Sequence, residues 1–172
     1  GVNYQPQAYP GAYPDAANPP YTGASTIGAL GYLPLEEPAQ DAVYRLRFTF
    51  THNSPVLQVT FAGIGLQQIE DESWGLDNVI VSLDGDVTYA DTFDGTGWPT
   101  TRTDVTPSGR HFLGQFGAET VTLPLNNLPP HTELTLTFDF YAIETWDGND
   151  DYWGPDIFDL RVAGGPTLLH TT

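Results

Sequence analysis

Residues 132–143, TELTLTFDFYAI, set Leu134, Leu136, Phe138 and Phe140 at every second position. Period two is the spacing at which successive side chains leave a strand on opposite faces, so this segment predicts a long half-buried β-strand and excludes a helix. The same alternation places Tyr44, Leu46, Phe48 and Phe50 against Val43, Arg45, Arg47 and Thr49, and puts Leu57, Val59 and Phe61 on one face. Further strands are predicted over residues 76–83, 87–93, 110–116, 119–125 and 156–164. DGD, DGTG, PSG, NNLPP and DGND punctuate them with turn chemistry, and no long stretch carries helical periodicity. About eight short strands at this spacing predict an all-β fold, an antiparallel, jelly-roll-like β-sandwich.

With 172 residues the chain has room for one core. The alternation begins near Asp41, so the expected organisation is an arm over residues 1–23, a connection over 24–40 and the sandwich over 41–172. Residues 24–40, ASTIGALGYLPLEEPAQ, read as an edge strand plus a connection. The arm, GVNYQPQAYPGAYPDAANPPYTG, is rich in proline and tyrosine and repeats AYP. Proline fixes φ and extends its predecessor, so the arm is expected to be extended or irregular without helix. Three readings compete: a disordered linker, an arm folded back on its own domain, and an arm docked in a groove of a neighbouring subunit. Tyr4, Pro6, Tyr9, Pro10, Tyr13, Pro14 and Tyr21 are the residues expected to make such a contact, because tyrosine supplies large contact area at low rotamer cost.

Charge excludes several functions. The 22 acidic residues face 5 basic ones, and the formal net charge is −17. A polyanion requires a basic footprint, so nucleic acid is excluded as a partner, and an anionic membrane surface is disfavoured for the same reason. No apolar run is long enough to span a bilayer, so no membrane insertion is expected. The chain has no cysteine, which removes disulfides, thiolate metal sites and a cysteine nucleophile. Self-repulsion on this scale is commonly relieved by a bound hard cation, and calcium is the expected cofactor. The composition suits an extracellular or cell-surface protein, and the start at GVNYQ without methionine reads as a mature product.

Two acidic clusters beside strand ends are the candidate metal ligands. In IEDESWGLDNVIV, Asp77 shares a face with Val79, Val81 and Leu83, the apolar side of the strand by count. A carboxylate there needs a partner, which would be either a metal shared with Glu72 or a neighbouring arginine or asparagine. In ETWDGNDDYWGPDIFDL, Asp147, Asn149 and Asp151 have the odd spacing of a calcium loop. Tyr152 and Phe158 stand where an EF-hand needs glycine and glutamate, so the loop is not an EF-hand. Asp156 and Asp139 are expected to converge with Asp147 at one end of the sandwich, while Asp150 and Asp151 read as solvent-facing charge.

No catalytic arrangement emerges, and the chain is expected not to be an enzyme. EDES lacks the spacing that places a glycosidase nucleophile and acid on one strand face, and the four histidines are scattered. Neither a nucleophile elbow nor a phosphate-cradling loop is present. Trp98, Trp146 and Trp153 either cap the core or present flat faces to sugar rings. Asn53 is followed by Ser-Pro and forms no N-linked glycosylation signal. Glycans are therefore considered as ligands, with O-linked modification of the arm carried by no motif.

The segments GLQQIEDESWGLDNVIV, GRHFLGQFGAETVTLPLNNLPPHTELTLTFDFYAIETWDGN and GPDIFDLRVAG carry the series ESWGLDNV, FDFY, WDGN, GPD. They resemble secreted bacterial β-sandwich domains of exported and surface-anchored proteins, including those with PEP-type sorting tails. The resemblance implies an extracellular sandwich stabilised by calcium. A sandwich with a Tyr/Pro-rich arm is also similar in architecture to protomers of extracellular fibrils that link head to tail. The function expected on these grounds is a structural protomer of a homo-oligomeric fibril or surface assembly, and the alternative is a secreted carbohydrate-binding module.

Overall fold

The computed structural model of the chain describes residues 5–33, 40–93 and 102–172. Among them run eleven strands: Thr26–Ile27 (β1), Ala42–Thr51 (β2), Val56–Ile64 (β3), Glu72–Leu83 (β4), Asp86–Asp91 (β5), Thr103–Val105 (β6), His111–Phe116 (β7), Thr120–Asn126 (β8), Glu133–Glu144 (β9), Ile157–Val162 (β10) and Thr167–Thr171 (β11). They form two antiparallel sheets. One has the order β1-β2-β9-β4-β7-β6 with β5 beside the second half of β4, and the other has the order β11-β10-β3-β8. Among the described residues no helix is long and apolar enough to cross a membrane.

The alternation read from sequence is what fills the space between the sheets. Leu134, Leu136, Phe138 and Phe140 of β9 belong to one core with Leu57, Val59 and Phe61 of β3 and with Phe158 and Leu160 of β10. Aromatic pairs bridge the layers: Phe61 meets Phe138 edge-on at 5.3 Å, and Phe140 meets Phe158 at 4.1 Å. Trp74 is wholly buried and donates from Nε1 to the Gly117 carbonyl at 2.8 Å.

One expectation about β4 is overturned. Its pairing with β9 shifts register between Asp77 and Ile80, and Asn78 takes a left-handed φ of 50°. This bulge changes the parity of the strand, so that Trp74 and Leu76 before it and Val79, Val81 and Leu83 after it all face the core. Asp77 therefore lies on the opposite face, where it accepts a hydrogen bond from the Tyr141 hydroxyl at 2.7 Å. Tyr141 there packs with Leu30, Val43, Phe112 and Ile143 in a second apolar cluster.

The arm is irregular and without helix, and it is folded back on its own domain. Gln7 and Asn18 exchange backbone hydrogen bonds, and turns close at Gly11 N to Ala8 O and at Asp15 N to Ala12 O, so residues 5–24 form a looped lobe on their own domain. The Gln7 side chain stitches the lobe together by donating to the carbonyls of Tyr9 and Thr22. β1 is the edge strand read within residues 24–40, while β6 and β11 were not among the predicted strands. β11 matters most, because it is the edge to which the lobe attaches.

Phe138 sits where the layers meet, with Phe48, Phe61 and Phe158 around it. Phe138→Ala is expected to cost about 3–5 kcal/mol of stability. The check is a denaturant melt, in which the midpoint falls while the slope of the transition is retained.

Candidate functional site

Two loops meet at the end of the sandwich where β4 begins and β9 ends. The first, between β3 and β4, packs closely on the second: a Cβ on Gly65 would lie 2.3 Å from the Pro155 carbonyl oxygen. The second, between β9 and β10, opens with Thr145, whose hydroxyl donates to the Asp71 carboxylate at 2.6 Å. Trp146 follows, with Nε1 donating to the Ser73 carbonyl at 2.8 Å and its ring edge-on to Phe140. These contacts hold the loop against the head of β4 and direct its carboxylates inward.

Glu72, Asp147 and Asp156 converge there, with one oxygen of each within 4.8 Å of the others. They are 0%, 1% and 0% exposed. Glu72 Oε2 accepts from the Gln67 amide, and Asp156 Oδ2 accepts from the Asp147 amide. Glu72 Oε1 and Asp156 Oδ1 are buried with no hydrogen-bond partner. Burial pushes the carboxyls of Glu72 and Asp156 well above the usual carboxylate range, and each is pushed further by a neighbouring acid, Asp156 for Glu72 and Asp147 for Asp156. Asp147 is raised by burial as well. Buried carboxylates of this kind require a proton or a cation.

The donor set fits a hard cation. All three ligands are carboxylates, and oxygens up to 4.8 Å apart can share one ion with bonds of 2.3–2.6 Å. Zinc and copper favour imidazole and thiolate, which this pocket does not offer.

The other predicted ligands are placed elsewhere. Asp139 is held by Arg45 through two hydrogen bonds and by the Asn78 side chain, while Asp77 takes the Tyr141 hydroxyl and the Asn78 amide. For Asp77 hydrogen bonding to the neighbouring Asn78 and to Tyr141 is what the structure shows in place of coordination with Glu72, and Asp139 does not converge with Asp147 because Arg45 and Asn78 hold it. Asn149 turns away from the carboxylates: its Nδ2 donates to the Ala16 carbonyl at 3.2 Å, and its Oδ1 accepts from the Thr172 hydroxyl. Asp150 caps the amides of Tyr152 and Trp153 at the surface.

That side of the loop is the seat of the arm. The Asn149 amide donates to the Pro6 carbonyl at 2.8 Å, and Gly148, with φ 55°, lies so close that a Cβ would stand 2.7 Å from the same oxygen. The Tyr9 and Tyr13 amides donate to the carbonyls of Thr172 and His170 on the β11 edge, and the Ala8 amide donates to the Thr172 hydroxyl. Tyr9 stands edge-on to Tyr44 at 5.4 Å, beside an apolar cavity of about 70 Å³ walled by Tyr44, Phe140, Trp146, Phe158 and Leu169. Tyr21 accepts the Gln40 amide on its hydroxyl, whereas Pro10 and Pro14 are exposed and Tyr4 lies outside the described residues. The β11 part of this seat was invisible in the predicted strand set, since PTLLHTT offers only a short apolar run.

Of the tryptophans, Trp146 is core, Trp98 lies outside the described residues, and Trp153 is 51% exposed beside the still more exposed Tyr152. Two of the histidines scattered in sequence meet in space: His52 and His131 stack at 5.0 Å with ring nitrogens 2.7 Å apart.

Fold and site together define an all-β sandwich whose one end encloses a carboxylate pocket with the geometry to hold a metal ion. Comparison with protein-family models, with curated proteins and with solved structures finds no match to this chain.

Neutralising one acid tests whether the pocket carries uncompensated charge. In chelator, Asp156→Asn is expected to melt above the parent by an increment worth about 1–3 kcal/mol, since an amide can pair where a carboxylate oxygen has no donor. It is also expected to lose any further rise on adding calcium. A lower melting temperature than the parent in chelator would show that the charge is already balanced.

Proposed function

We propose that this chain is a non-enzymatic extracellular structural protein, a calcium-stabilised β-sandwich protomer whose N-terminal arm joins one copy to the next. The observation that carries this reading is the seat. The arm is bound by backbone groups of the β11 edge and by Asn149, and Gly23 at its root adopts a left-handed φ of 81° just before β1. An arm that opens at this point meets an identical seat on a neighbouring copy. Exchange of an element between identical chains, if it does not close, builds an open filament at little cost in contacts.

The carboxylate pocket supports a structural role for its ion. Glu72 and Asp156 are fully enclosed, so no substrate can reach them, and a cation there ties the β9–β10 loop to the head of β4. Calcium suits an all-oxygen site completed by backbone carbonyls and water, and suits secretion to a calcium-rich medium.

Sedimentation at rising protein concentration with calcium should show oligomers larger than dimers, and the chain lacking residues 1–23 should remain monomeric. Equal sedimentation of the two would overturn the assembly claim. At about 100 times its dissociation constant, calcium binding only the folded state adds about 2.7 kcal/mol, which should raise the melt by roughly 5–10 °C over chelator.

A second reading, saccharide binding, is favoured by one observation: the Tyr152–Trp153 pair projects from the loop with rings edge-on at 4.6 Å. Screening on a glycan array decides it. The structural reading expects no saccharide selectivity, and a binding module requires selectivity that Trp153→Ala removes.

A further inference from the structure

We infer that the cation at Glu72, Asp147 and Asp156 is the latch of the arm: an occupied pocket holds the arm in its seat, and an emptied one releases it. The inference rests on the cation reading above and adds to it a control over arm exchange.

One short piece of backbone does both jobs. Asp147 supplies a carboxylate to the pocket, and the next two residues grip the arm, Gly148 by its close approach to the Pro6 carbonyl and Asn149 by its amide to the same oxygen. Asn149 reaches further into the lobe through Ala16, and through the Thr172 hydroxyl to the Ala8 amide. The piece is stiff because the two ends of the loop are tied together. The Asp147 amide donates to Asp156 Oδ2, and the Asp156 amide donates to the Gly148 carbonyl at 3.2 Å. Asp147, Gly148, Asn149 and Asp156 therefore move as a unit with respect to Glu72, which belongs to β4.

The pocket sets where that unit sits. Independent of any titration, Glu72 Oε1 and Asp156 Oδ1 are buried without a hydrogen-bond partner, and each of these residues offers an oxygen within 4.8 Å of the other's. A hard cation there draws the loop onto β4 by binding both sides. Without one, no ion bridges Glu72 on β4 to Asp147 and Asp156 on the loop, and a loop freed from β4 carries Gly148 and Asn149 away from Pro6. The arm then loses its hold at Pro6 and Ala16 and keeps the contacts of Gln7 and Tyr9 with Tyr44 and a short set of bonds to the β11 edge at a chain end, where opening is easiest.

Amide hydrogen exchange on the full chain, with calcium and with chelator, reads the latch directly at three donors: Tyr9, Tyr13 and Asn149. Calcium is expected to slow exchange at all three at least tenfold. Calorimetric titration with calcium runs alongside. Asn149→Ala, whose lost side chain faces the arm and not the carboxylates, should still bind calcium, while the calcium effect at Tyr9 and Tyr13 shrinks below threefold. Calcium binding with a raised melt but unchanged exchange at these amides would overturn the latch and leave the cation reading standing. No calcium binding at all would overturn both.

Discussion

Three carboxylates held out of water at one end of the sandwich set the terms for the loops around them. An isolated carboxylate in a protein interior is expensive, and Glu72, Asp147 and Asp156 lie within reach of a single ion. Such a cluster is relieved by a proton or by a compensating cation, and the surrounding architecture holds it in place. Thr145 on Asp71, Trp146 on Ser73 and Gly65 against Pro155 all fix the backbone from which the three side chains project. A cation taken up there would act on geometry that hydrogen bonding has already assembled, which would keep the entropy lost on binding small.

The sandwich itself depends on a different interaction, the burial of alternate side chains between two sheets. That part was legible from sequence because period two survives any loop length: Leu46, Phe61, Phe138 and Phe140 are inside as the alternation requires. Asp77 was misjudged for the same reason. The rule assumes an unbroken strand, and the extra residue at Asn78 moves everything before it to the other face. Only a positive φ marks the bulge, and the dipeptide Asp-Asn is a weak sequence signal for one.

Glu72, Asp147 and Asp156 were legible as acids near strand ends, but their meeting depends on β9 running beside β4 in a register that places Glu144 opposite Glu72. The same register sets Asp139 opposite Asp77, beside Arg45 on the neighbouring strand. Arginine pairing, and not coordination, follows for Asp139 from that neighbour. Proline statistics describe the backbone locally and left the arm's docking open among three readings, whereas Gln7 satisfies its amide at Tyr9 and Thr22 and so closes the chain on itself.

A seat that accepts the arm of its own chain poses a thermodynamic question for assembly. If the arm makes identical contacts on its own domain and on a neighbour, those contacts cancel in the comparison, and concentration decides. A tethered arm sees its own seat at an effective concentration of about millimolar, so exchange is favoured only where copies are crowded or the hinge is strained when closed. The formal charge of −17 works against crowding, and each divalent ion taken up removes two charges from that repulsion. A cation that stabilises the seat cannot by itself prefer a neighbour's arm to the chain's own, since both use Gly148 and Asn149. On the proposed reading its leverage would be kinetic: it would set how often the arm leaves, while charge neutralisation and density would set where the arm returns.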